Sequence, residues 1–125
     1  IHFAQTGFFD SRPDFLDVRD SINFDDLQNS LRNNPEPYYE AYLKSGVTGV
    51  YDVGGFYWSV DRQFEVENNL DAPHVASSGP FLSGVPEAYT AYLNTSEAKQ
   101  MIRLSSPEMG RKLVKELTER GSTGI

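Results

Sequence analysis

Cysteine is absent from the 125 residues. That removes disulfides and thiolate chemistry from the chain and leaves its compartment open between cytoplasm and periplasm. Basic charge is scarce, with 11 Lys and Arg against 18 Asp and Glu and a formal net charge of −7. A nucleic-acid partner needs a basic stripe along the phosphate backbone, and none is visible, so nucleic acid is excluded. The same shortage argues against an anionic membrane surface. No apolar run approaches the roughly 20 residues that a spanning helix requires. An initiator methionine is lacking too: the chain opens Ile1-His2-Phe3, which reads as the last step of a buried strand. The other end, "KELTERGSTGI", stops as a helix and its glycine hand over to a new apolar segment. The expectation is therefore a piece of a larger chain.

What is present suits a single α/β domain. Eight Phe, seven Tyr and one Trp supply material for a core. Residues 6–24 mix charge, proline and single aromatics without a clear period, which reads as a long loop. A short helix follows from Asp25 to about Arg32, with Leu27 and Leu31 four apart on one face. Two later stretches resemble each other, "NPEPYYEAYLKSGVTGVYDVGG" and "SPEMGRKLVKELTERGSTGI". Each opens with a capping residue (Asn34, Ser106) followed by Pro and Glu, the chemistry of a helix N-terminus. Each helix ends at a glycine (Gly46, Gly121) suited to a left-handed cap, then enters an apolar segment through Thr-Gly. In the second, Met109, Leu113 and Leu117 fall four apart as a core-facing stripe. Between them, "FYWSVDRQFEVENNL" reads as a helix and "APHVASSG" as a short strand. Strand and helix thus alternate along the chain, which predicts parallel βαβ units, with residues 47–53 and 73–78 as neighbouring strands. Both strands end in glycines and small polar residues, at the end where parallel α/β folds build their sites.

These segments resemble a known family. "GVTGVYDVGG" resembles the second-strand signature of the amidohydrolase superfamily, in the branch with imidazolonepropionase and the metal-dependent Xaa-Pro dipeptidases. The pattern there is Gly-Val-Thr-Thr-Val-x-Asp-x-Gly-Gly; Thr48, Val50, Asp52, Gly54 and Gly55 match it, and Gly49 replaces the second Thr. "APHVASSGPFLSG" resembles the third strand of the same branch, with His74 in the place of an Arg, and "ERGSTGI" resembles the approach to the fourth. The resemblance implies a (β/α)₈ TIM-type barrel, incomplete in this chain. Residues 1–125 would be its N-terminal section, from the end of the first strand to the start of the fourth. It also implies a first strand ending in His-x-His, with Ile1 as the x and His2 as the second histidine, a metal ligand. Alternate residues of a strand point the same way, so such a pair can share one ion.

By the same resemblance, the cofactor is a divalent metal, zinc in the first place, as one or two ions. The activity is hydrolysis of an amide, cyclic amide or peptide-like C–N bond by metal-activated water. The partners are a small-molecule or peptide-like substrate and the remaining barrel segments of the parent, and a homo-oligomer is compatible with all of this. This section alone holds too few ligands to be competent.

Other residues have plainer readings. His74 begins its strand, so it belongs to the rim opposite His2 and is read as structural. Asp52 reads as a carboxylate that satisfies backbone N–H groups at a turn. Ser77, Ser78 and Gly79 lack the Gly-x-Ser-x-Gly context of a nucleophile elbow. Gly54 and Gly55 lack the third glycine and acidic residue of a dinucleotide fingerprint. Phe56 and Tyr57, after the glycines, and Ser78, at the next strand's end, are the candidate substrate-binding residues; the first two serve equally well as a packed helical turn. Two rival readings stand beside the enzyme: an independent small α/β binding module, and a barrel homologue without metal that acts in binding.

Overall fold

The computed structural model of the chain describes Ser21 and residues 23–125. Helix α1 spans Phe24–Asn33, capped by the Asn23 side chain, which accepts from the Asp26 N–H. Asp25 and Asp26 sit in its first turn and Arg32 in its last, each sign placed where the helix dipole favours it. Of the expected leucine pair, Leu31 is fully buried and Leu27 packs at its side.

Helix α2, Glu36–Lys44, starts differently from the sequence reading. Asn34 closes α1 instead, donating its N–H to the Ser30 carbonyl, and Pro35 stands at the N-cap of α2 with no side-chain cap. Pro37 in the first turn lacks an N–H, so one fewer orphan donor there needs a cap. At the far end Gly46 adopts φ +77°, and Val47 donates back to the Tyr42 carbonyl, a Schellman closure.

Strand β1 (Gly49–Asp52) is followed by helix α3 (Tyr57–Val66) and strand β2 (His74–Ser77). The two strands pair in parallel, with Gly49 opposite His74 and Asp52 opposite Ser77, as the alternation predicts. Period-2 alternation puts Val50, Asp52, Val75 and Ser77 on one face. That face meets the helices: Val75 joins Leu31, Tyr39, Val66 and Ala72 in the core, with Val50 packed beside them. Tyr51 and Val53 lie on the other face, each 43% exposed.

The residues after β2 depart from simple alternation. Strands β3 (Phe81–Ser83) and β4 (Met101–Arg103) form a second parallel pair, with Phe81 opposite Met101. Two 3₁₀ turns, Glu87–Tyr89 and Ala91–Leu93, lie in the crossover between them. Three-residue strands leave no period to read, so this unit escapes a pattern-based analysis. Among the described residues the strands therefore form two separate two-stranded sheets, not one continuous wall. The fold is mixed α/β with short parallel strands.

Helix α4 (Pro107–Arg120) closes the chain as read: the Ser106 side chain accepts from the Met109 N–H, and Gly121 takes φ +96°. Leu113 and Leu117 are buried and Met109 half-buried. The segment beyond α4 then reaches β2, where Thr123 donates its N–H to the Ser77 carbonyl. In β2, residues 74 and 78 donate to β1, so Ser77 faces the opposite edge. The segment after α4 thus lies along the edge of β2 away from β1, at its carboxyl end.

Candidate functional site

The carboxyl ends of β1 and β2 are held together beyond the strands themselves. Ser78 donates its N–H to the Asp52 carbonyl and Gly55 donates to the Gly79 carbonyl, both at 3.0 Å. Asp52 is 2% exposed and its Oδ1 accepts the Gly54 N–H at 3.4 Å. A Cβ on Gly55 would stand 2.9 Å from Ser59 Oγ and 3.0 Å from Asp52 Oδ2, so glycine is what lets this turn fold back onto the carboxylate. Gly54, Gly55, Ser78 and Gly79 share one rim, and His74 begins β2 a strand-length away. Its side chain is exposed, 3.8 Å from Glu67 Oε2.

Two buried hydroxyls lie behind this rim. Ser59 Oγ donates to the Phe56 carbonyl at 2.8 Å and stands 2.9 Å from Ser77 Oγ. One hydroxyl carries one proton, so Ser77 must be the donor of that contact. Ser77 Oγ also accepts the Gly79 N–H at 3.2 Å. Both protons are committed to structure, which removes these serines as nucleophiles and agrees with the missing elbow motif.

The three candidate substrate residues are not brought into one cavity. Phe56 is 1% exposed and stacks on Trp58, ring centroids 6.0 Å apart. Ser78 is half-buried, its Oγ bonded to the Asp52 carbonyl and its own carbonyl accepting from Ser122 Oγ. Tyr57 lines a cleft of about 800 Å³ together with Trp58, Arg32, Arg120, Lys99 and Glu97. Burial, and secondly the Glu116 carboxylate, raise the Tyr57 phenol above its ordinary range. His2 lies outside the described residues.

Sequence reasoning missed the cleft because its walls come from three separate regions: α1, the start of α3 with the end of α4, and the crossover between β3 and β4. Within the second of these, Arg120 joins α4 to α3. Its Nε donates to Asp61 Oδ1 at 2.8 Å, its Nη2 to Oδ2 at 2.5 Å, and its guanidinium carbon sits 5.2 Å from the Tyr57 ring centroid. Lys99 Nζ pairs with Glu87 Oε1 at 2.8 Å and, by that bond, holds the Glu87 carboxyl below its ordinary range. Asp25 on α1 accepts from the Ser96 N–H and hydroxyl, which ties the crossover to the helices.

Among the described residues no group of three or more His, Cys, Asp or Glu could hold a metal ion. No helix among them is long and apolar enough to cross a membrane. Compared with protein families, curated proteins and solved structures, the chain finds no match.

Proposed function

We propose that the chain is part of a metal-dependent amidohydrolase of the (β/α)₈ type, which cleaves an amide, cyclic amide or peptide-like C–N bond. The observation that carries this reading is the β1–β2 pair. Its strands are parallel and adjacent in the order the family pattern requires, with the glycine and serine turns of both on one rim. Helices cover one face, and the other leaves Tyr51 and Val53 each 43% exposed. Parallel sheets are ordinarily buried on both faces. In this reading the open face turns toward the remaining barrel strands.

The described residues do not supply a metal site, so the ion would be held through His2 and ligands from other segments of the parent. A divalent ion such as zinc, if held there, would supply Lewis acidity for activating water and polarising the scissile carbonyl. This chain's own contribution is the rim: Asp52, Gly54 and Gly55 fix the turn, and Ser78 ties it to the neighbouring strand.

A specific observation favours a second reading, the independent α/β module. The edge of β2 away from β1 is already satisfied at Ser77 by Gln63 and Thr123. A closed edge leaves less room for another strand.

The test is metal content and turnover in the intact protein and its His2→Ala variant, assayed on cyclic amides, N-acyl amino acids and Xaa-Pro dipeptides. The enzyme reading expects bound zinc or a similar ion, hydrolysis of at least one class, and a steep loss of both in the variant. Unchanged metal content and turnover in His2→Ala, or no metal and no hydrolysis in the intact protein, would overturn it.

A further inference from the structure

The cleft beside Tyr57 has a charge arrangement that the hydrolase reading does not use. Three cations and three anions line it, namely Arg32, Lys99 and Arg120 with Asp61, Glu87 and Glu97. Four of them cancel in pairs: Arg120 forks onto Asp61, and Lys99 binds Glu87. Arg32 and Glu97 are left over, and among the described residues neither side chain has a hydrogen-bond or ion-pair partner. The cleft therefore offers one uncommitted guanidinium and one uncommitted carboxylate. Tyr57, Trp58 and Ile102 also line the cleft and give it apolar surface. Its volume of about 800 Å³ falls within the range of small-molecule sites.

We propose that this cleft binds a free amino acid or short peptide as its zwitterion. The ligand's carboxylate goes to Arg32, its ammonium to Glu97, and an apolar side chain to the two rings. A guanidinium and a carboxylate form charge-assisted, planar hydrogen bonds that fix orientation as well as affinity. A simple anion is disfavoured, because the chain as a whole carries −7 and repels it while Glu97 stays unmatched. A simple cation leaves Arg32 unmatched in the same way. Only a ligand with one charge of each sign answers both. The proposal does not depend on the barrel: Asp52, Ser77 and Ser78 are not among the lining residues, and no ion is needed.

Trp58 is the chain's single tryptophan, so its fluorescence reports on the cleft directly. The experiment titrates the full chain, with chelator present, with phenylalanine, glycyl-phenylalanine and the uncharged N-acetyl-phenylalanine amide. The expected result is a saturable change with one or both zwitterions through the millimolar range, and binding of the amide at least about tenfold weaker. Arg32→Gln and Glu97→Gln should each weaken zwitterion binding about tenfold with unchanged far-UV circular dichroism, because neither side chain holds the fold together. No saturable change with either zwitterion overturns the proposal. So does equal binding of the uncharged amide, or unaltered binding by both variants. Because chelator is present, failure here is separate from failure of the hydrolase reading.

Discussion

The side chain of Gln63 on α3 accepts the backbone N–H of Ser77 on β2 at 3.4 Å. The same amide donates to the Gly121 carbonyl at 2.6 Å. One side chain, 7% exposed, thus joins a helix, a strand edge and the end of α4. A strand edge buried without partners costs free energy, and at Ser77 Gln63 takes the place a neighbouring strand would occupy.

Gln63→Met keeps the volume and removes both bonds, leaving a buried N–H and a carbonyl unmatched. The expected loss is about 1–3 kcal/mol in urea unfolding. Gln63→Glu keeps the acceptor for Ser77 but opposes the Gly121 carbonyl, so it should also destabilise and partly recover in acid. Wild-type stability in Gln63→Met would show that the edge is satisfied in another way.

Gly54 should resist any side chain. A Cβ there would lie 2.1 Å from Cζ of Phe81, whose ring is half-buried against the turn. Gly54→Ala must push the ring and β3 aside, at a cost of about 1–3 kcal/mol. Phe81→Leu shortens the obstacle, so the double variant should lose less than the two single losses summed. Strict additivity of the unfolding free energies would mean that the contact carries no strain.

How far the sequence revealed all this depended on the length of each pattern. All four helices and the parallel β1–β2 pair were legible, because apolar spacing, capping residues and glycine stops mark them over many residues. Ser106 and Gly121 behave as read, whereas Asn34 caps the helix before it, since one polar residue between two helices can serve either. Strands β3 and β4 were illegible, each only three residues long. So was the cleft, because Arg32, Lys99 and Arg120 are far apart in sequence and carry no shared motif. The rim was legible as a row of small residues, but the hydroxyl order behind it needed coordinates.

The two glycine caps separate backbone strain from steric contact. Gly46 has φ +77° with nothing within 4 Å of an added Cβ, so Gly46→Ala measures the left-handed penalty alone. Gly121 has φ +96° and would bring a Cβ to 2.5 Å from Phe64 Cζ. Phe64 is 62% exposed, so its ring can swing into solvent. Both substitutions should therefore cost about 1–2 kcal/mol, and by similar amounts. A much larger loss at Gly121, relieved by Phe64→Ala, would mean that the ring is held in place.

Four tyrosines should lower stability at alkaline pH. Burial raises Tyr38, Tyr39, Tyr42 and Tyr57 above the ordinary 10.0. The Asp52 charge adds to this at Tyr42 and Glu116 at Tyr57, while Arg62 opposes it at Tyr39. The unfolded chain releases these phenolic protons at the ordinary value, and the native chain keeps them to higher pH. Above about pH 10 the unfolded state therefore binds fewer protons, and stability falls as pH rises. The contribution is fully present below that point and is lost as pH climbs through the raised native values. Urea midpoints measured from about pH 8 to about pH 11 should be flat at first and then drop. Tyr57→Phe removes one titrating group and should make that drop shallower. A midpoint that rises above pH 10, or a Tyr57→Phe variant with the full alkaline slope, would show that the buried phenols do not control it.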